Sequence, residues 1–190
     1  MLDELLKLDK LVLVFLNSLG SQQFDGSWLF ITKQINWTPF FLVIGYLIQK
    51  KTGWKNLGIA VVFITLILLC CNTTVELCKS TFMRLRPCND PEINQIIRIV
   101  HKTSTFSFFS GHAANSMATM TFLYLILKKH YKYSYLIFLY PLIFAYSRIY
   151  LGVHFPSDIL TGYLVGIVFG IVFYKIYRKF FVFYIFVKAK

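Results

Sequence analysis

Acidic side chains are scarce in this sequence: eight Asp and Glu stand against twenty Lys and Arg, for a net charge of +12. The few carboxylates do not gather into a set suited to two metal ions, so neither a metal nor any other cofactor is expected. A broad polar surface is missing too. Hydrophobic residues make up 57% of the 190 positions, against roughly 45–50% in a soluble domain, and a chain this short cannot hide that much apolar surface in a core of its own. Cysteine is sparse: Cys70, Cys71, Cys78 and Cys88 match no zinc spacing and read as small buried thiols. A Cys78–Cys88 bridge stays open if that end of the chain faces an oxidising compartment. The start, Met1-Leu2-Asp3-Glu4, lacks the positive charge of a cleavable signal peptide. There is no internal repeat and no low-complexity tract.

What the sequence does have is long apolar runs. Residues 24–49, 54–77, 111–127, 133–150 and 159–174 each approach the roughly 20 residues that cross a hydrocarbon core. The first contains Lys33, Gln34, Asn36 and Pro39 and is expected to kink or to dip before crossing. Residues 2–19 interleave Leu2, Leu5, Leu6 and Leu8 with Asp3, Glu4, Lys7 and Asp9, the pattern of an amphipathic interfacial helix or of a short additional span. The expected fold is therefore an all-α integral membrane bundle of five to six transmembrane helices with an amphipathic N-terminal helix. It forms a single domain over residues 1–190.

The positive charge is not spread over a nucleic-acid-binding face. It falls in short clusters between apolar runs, Lys50-Lys51-Lys55, Lys128-Lys129-Lys132 and the tail from Lys175 onward, which alternation of the spans puts on one side. No nucleic acid partner is expected. The positive-inside rule assigns that side to the cytoplasm. The long polar loop 86–109 then faces outward, with the end of the second run, the start of the third, the end of the fourth and the start of the fifth.

Those four ends carry the polar chemistry. Lys79 and Arg86, about two helical turns apart, can point one way if the helix continues to Pro87; alone they also read as snorkelling cations. Ser110-Gly111-His112 opens a helix whose free N–H groups favour an anion, and alone would be an ordinary cap. Arg148 is followed by His154 and Asp158, spaced so that a carboxylate can hold an imidazole in one tautomer, or so that they form a satisfied polar pair. Ionisable groups at membrane depth are costly and call for a partner or a purpose. Cations with two histidines and one carboxylate describe a phosphate site with a nucleophile.

Lys79-x6-Arg86-Pro87, Ser110-Gly111-His112 and Ser147-Arg148-x5-His154-x3-Asp158 resemble the three-part signature of the type 2 phosphatidic acid phosphatase superfamily, and the signature runs over residues 79–158. One position departs: Phe109 stands where that family usually has Pro. The resemblance implies that His154 is the nucleophile, that Asp158 orients it and that His112 is the general acid. It implies that Lys79, Arg86 and Arg148, with the backbone near Ser110 and Gly111, hold the phosphate. The implied activity is hydrolysis of a lipid phosphate or diphosphate at the bilayer, in a bacterial inner membrane, with the site facing the periplasm or exterior. Undecaprenyl diphosphate is the first substrate expected, followed by lipid A 1-phosphate and phosphatidylglycerol phosphate; phosphotransfer to a second lipid is an alternative. A transporter is disfavoured because no repeated halves are visible.

Overall fold

The computed structural model describes the backbone of residues 2–188 and the side chains of residues 3–180. Among the described residues every regular element is helical. These are α1 (Leu2–Ser18), α2 (Asp25–Ile31), α3 (Thr38–Thr52), α4 (Trp54–Phe82), α5 (Gly111–Leu127), α6 (Leu139–Tyr150) and α7 (Pro156–Lys188).

The apolar run 24–49 is not one helix. Pro39, which has no N–H to give, lies in the first turn of α3 and sets its start. Upstream, the carbonyls at the end of α2 are taken by side chains: Asn36 Nδ2 donates to Phe30 O at 2.7 Å and Trp37 Nε1 to Ile31 O at 2.8 Å. The polar residues that weaken this run as a span thus cap a break in it. Gly53, at φ 84°, makes the reversal from α3 into α4.

Among the described residues, α4 and α7 are the helices long and apolar enough to cross a membrane. The other bundle helices lie where the sequence predicts spans but are shorter, α6 having 12 residues and α5 17, about 18 and 26 Å at 1.5 Å per residue. Leu66 and Leu69 on α4, and Leu160, Leu164 and Val168 on α7, are exposed. Helices apolar on the outside as well as the inside suit a lipid surround. At the centre, Phe63, Phe122, Tyr140, Phe144 and Tyr177 build one aromatic core joining α4, α5, α6 and α7.

The tightest seam is between α5 and α7. Gly162, Gly166 and Gly170 repeat every fourth residue along one face of α7, the small-residue spacing that lets helices approach closely. A Cβ at Gly166 would stand 2.6 Å from the Ala114 carbonyl oxygen, and one at Gly162 2.7 Å from that of Ser110. This seam brings the first turn of α7 beside the N-terminus of α5.

Helix α1 docks by its polar side. Asp9 and Lys10 reach protein partners, Leu13 and Asn17 are buried, and Leu5, Leu8, Leu11 and Phe15 face out. Asn17 Nδ2 lies within 3.0–3.1 Å of the Arg98, Ile149 and Tyr150 carbonyls, while its Oδ1 accepts the Arg98 N–H at 2.7 Å. Cys78 and Cys88, the pair considered for a disulfide, are both free thiols.

Gly166→Val, which forces a branched side chain into the α5–α7 seam, is expected to cost about 1–3 kcal/mol. A lowered melting temperature of the purified protein in detergent is the check, and an unchanged value contradicts the seam.

Candidate active site

His154 sits in the turn between α6 and α7. The turn is possible because Gly152 adopts φ +75°, where a Cβ would also meet the Arg98 carbonyl oxygen at 2.8 Å. Val153 N–H donates back to Arg148 O at 3.0 Å and closes it. The imidazole is 2% exposed. Its Nδ1 lies 3.3 Å from Asp158 Oδ2 and its Nε2 3.0 Å from Arg86 Nη1. A guanidinium only donates, so Nε2 must accept, and the ring proton belongs on Nδ1, toward the carboxylate. The lone pair of Nε2 therefore points at the cations.

Asp158 is fully buried in the first turn of α7. Its Oδ2 accepts from Phe155 N–H at 2.9 Å and from the Ser107 hydroxyl, and its Oδ1 from Arg84 Nη1 at 2.8 Å. The bond back to Phe155 N–H has the form of a capping box, in which a carboxylate in the first turn satisfies a backbone donor at the helix entry. The same carboxylate thus starts α7 and faces His154.

Arg86 is held at several points before any substrate arrives. Nε donates to Thr105 O at 2.9 Å, Nη2 to Thr105 Oγ1 at 2.8 Å and Nη1 to Val153 O at 3.0 Å. Arg148, buried in the last turn of α6, donates from Nη1 to Thr32 Oγ1 at 2.7 Å and leaves Nε without a partner. The Thr32 backbone also bonds the His112 ring, which stacks on Phe144 at 4.9 Å. Thr32, just beyond α2, thereby joins two predicted site residues.

The remaining predicted residues fall around this centre. Ser110 is buried and serves structure. Its N–H goes to the Asp158 carbonyl at 3.0 Å, and its Oγ caps α5 by accepting from Ala113 N–H at 3.5 Å. Gly111 and His112 occupy the first turn of α5, where backbone N–H groups have no intrahelical acceptor. Lys79 does not share a helix with Arg86 as a continuous helix would require. Helix α4 stops at Phe82, with Met83 in the left-handed conformation at φ 44° and its N–H bonded to Lys79 O. The chain then turns and delivers Arg86 from an extended segment, and Lys79 pairs with Glu76 at 2.8 Å.

A cavity of about 510 Å3 opens between α3, α4, α5 and α6, and Lys79, Gly111 and His112 form its end nearest the histidines. One part of its wall is aromatic, with Phe41, Tyr140 and Phe144; another carries Gln34, Asn72, Glu76 and Asn115. Asn115 Nδ2 donates to Asn72 Oδ1 at 2.7 Å, and Asn115 Oδ1 has no partner. No group of three or more His, Cys, Asp and Glu side chains placed to hold a metal occurs among the described residues.

Burial pushes the His154 imidazole down to about 4, the Arg86 and Arg148 guanidiniums push the same way, and the Asp158 carboxylate opposes them. The ring is therefore neutral at pH 7. Ser107 and Thr32 were not expected to take part, and Arg84, one of the charged residues after the second apolar run, had no assigned role. Ser107 and Thr32 are single hydroxyls with no spacing signal, whereas Arg84 lies in the polar run after the second apolar segment and carried a visible charge.

A sequence model of the PAP2 superfamily matches residues 36–181. The chain is 32% identical over 174 residues to a lipid A 4'-phosphatase of Bacteroides thetaiotaomicron, covering 87% of this chain and 75% of that protein. It is 27% identical to a lipid A 4'-phosphatase of Porphyromonas gingivalis, covering 93% and 75%. Its fold is similar to that of a transmembrane PAP2-type phosphatidylglycerolphosphate phosphatase from Bacillus subtilis, with TM-score 0.71, 19% identity and coverage of 93% and 87%.

Lowering the pH through about 4 protonates His154 and removes its lone pair. Loss of the His154 lone pair should lower kcat/KM about tenfold per pH unit below that region and not above it. The check is a pH–rate profile corrected for substrate ionisation; an enzyme midpoint near ~6.5, the value of a free histidine, contradicts the buried site.

Proposed function

Because the chain belongs to the PAP2 superfamily and is a membrane lipid phosphatase, we propose that it removes a phosphate monoester from a sugar-headed lipid of the lipid A type, through a phosphohistidine on His154. The observation that carries the reading is the buried imidazole with Asp158 on Nδ1 and Arg86 on Nε2.

Phosphoryl transfer depends chiefly on positioning and on charge stabilisation, and preorganised cations in a poorly solvated site supply the larger part of the latter. Arg86 and Arg148 take the phosphate oxygens, with Lys79 at the cavity end and the N–H groups of Gly111 and His112 adding donors. In the empty site Arg86 Nη1 covers the attacking nitrogen. An incoming phosphate oxygen draws that donor away and exposes the lone pair only when substrate is in place. His154 Nε2 then forms the N–P bond as the ester P–O bond breaks, and His112 protonates the departing sugar oxygen. Asp158 stabilises the resulting cationic ring. Water, deprotonated by His112, attacks phosphorus, the N–P bond breaks, and inorganic phosphate leaves.

The headgroup assignment draws on the named activity of the two relatives and on the cavity. Amide side chains and a carboxylate facing aromatic rings suit the hydroxyls and apolar faces of a sugar. A prenyl chain needs no Asn72, Glu76 or Asn115, and Glu76 beside Lys79 repels the extra charge of a diphosphate. Undecaprenyl diphosphate, first on resemblance alone, thus stands second. The basic clusters at the opposite helix ends favour the cytoplasm, which supports a site at the outer face of the inner membrane.

The test is phosphate release in detergent from lipid A, undecaprenyl diphosphate, phosphatidic acid and phosphatidylglycerol phosphate. Lipid A is expected to be turned over fastest; faster release from undecaprenyl diphosphate reverses the headgroup assignment. His154→Ala should abolish turnover and leave the protein without the acid-labile, base-stable phosphate label of a phosphohistidine, while wild-type turnover in that variant refutes the nucleophile. His112→Ala should cost about 10²–10⁴-fold with a sugar leaving group and far less with an aryl phosphate; equal losses on both contradict its role as acid.

A further inference from the structure

We propose that Asp9 and Arg84 are positioning residues of the reaction, through which the N-terminal helix holds Asp158 and so His154; the proposal rests on the reading of His154 as nucleophile. Asp9 lies outside the span matched by the superfamily, which begins at residue 36, yet its carboxylate reaches the base of the site.

Arg84 forks between two carboxylates. Nη1 donates to Asp158 Oδ1 at 2.8 Å and to Ser157 Oγ at 2.8 Å, while Nη2 donates to Asp9 Oδ2 at 2.7 Å. Its guanidinium lies 3.8 Å from the centre of the Phe155 ring, which fixes the plane of the fork. Asp9 in turn accepts the Ser157 N–H at 2.9 Å on Oδ1 and the Ser157 hydroxyl at 2.5 Å on Oδ2. Pro156, at the first position of α7, has no N–H, so Asp9 supplies from another helix the acceptor for the next backbone donor. The Asp9 side chain is 8% exposed and that of Asp158 fully buried.

The charges show what the arrangement does. Asp9, Arg84 and Asp158 together carry a net charge of about −1 at neutral pH, directed at an imidazole that must become cationic when it takes phosphate. Without the Asp9 charge, Arg84 would neutralise Asp158 alone, and the carboxylate would lose its hold on the cationic ring. Arg84 thus braces Asp158, and Asp9 keeps Arg84 from cancelling it. Neither residue lines the cavity, so the effect is expected in turnover and not in binding.

The experiment measures kcat and KM of full-length protein in detergent, with the lipid phosphate hydrolysed fastest in the panel above, for Asp9→Asn, Arg84→Met and the double variant. Asp9→Asn should lower kcat about 10–100-fold, the range seen for outer partners that orient a functional histidine through another group, with KM within about twofold. In the Arg84→Met background the same substitution should have no further effect, because its action passes through Arg84. Lys10→Ala is the control: it breaks the neighbouring tether of α1 to Asp90 and Glu92 and should leave kcat unchanged. Wild-type kcat in Asp9→Asn, independent multiplicative losses in the double variant, or an equal loss in Lys10→Ala would each overturn the proposal. If Asp9→Asn does not fold, Arg84→Lys keeps the charge and loses the fork; it should show the same kcat loss, and wild-type kcat there is equally fatal. An inactive His154→Ala beside a fully active Asp9→Asn refutes this inference alone, whereas an active His154→Ala refutes the nucleophile on which it rests.

Discussion

A fully buried carboxylate is the constraint around which this protein is built. Asp158 cannot be left unpaired in a poorly solvated interior, and breaking such a pair costs about 3–5 kcal/mol. Its partners come from separate stretches of chain: Arg84 from the segment after α4, Ser107 from the long loop, Phe155 and His154 from the turn before α7. Satisfying one side chain therefore fixes a loop, a helix start and an imidazole together. The same bonds that stabilise the charge select the His154 tautomer with its lone pair on the side of Arg86.

The scaffold makes that convergence possible by contrast between its two surfaces. Outside, α4 and α7 are apolar and exposed; inside, near one end, cations and hydroxyls are packed with few gaps. The glycine seam lets α7 lie directly on α5, so the Ser110 N–H reaches the Asp158 carbonyl and the first turn of α5 is tied to the turn that carries His154. The cavity between α3, α4, α5 and α6 brings Lys79, Gly111 and His112 together with the aromatic and amide walls. A lipid phosphatase needs both environments at one place: fixed charge for phosphate, and access for a substrate held in a bilayer.

Helix α1 changes how the N-terminal region is understood. Its leucines make it look like a strip that lies on a surface, and in the folded chain Leu5, Leu8 and Leu11 do face out, although Leu13 is buried. Two of its polar residues, however, are not turned to solvent. Asp9 and Asn17 are directed into the protein, one to Arg84 and Ser157, the other to the carbonyls at the end of α6. Hydropathy ranks such residues as the exposed face, because it counts their water affinity and cannot see the buried partners that replace water.

The sequence by itself determined the helical class, the apolar exterior and the family to which the three-part signature belongs, because these follow from local properties: run length, residue type and spacings such as that of His154 to Asp158. It also marked which helix ends belong together, since alternation along the chain requires no coordinates. Only the tertiary structure decided that Arg86 arrives from an extended segment after a left-handed Met83, that the break in run 24–49 falls between Ile31 and Thr38, and that the Ser110 N–H serves the Asp158 carbonyl. It alone recruited Ser107, Thr32 and Asp9 and set Arg84 beside Asp158. Their roles depend on partners tens to more than a hundred positions away, up to the 148 residues between Asp9 and Ser157, and such pairings are set by how helices pack, which no local pattern encodes.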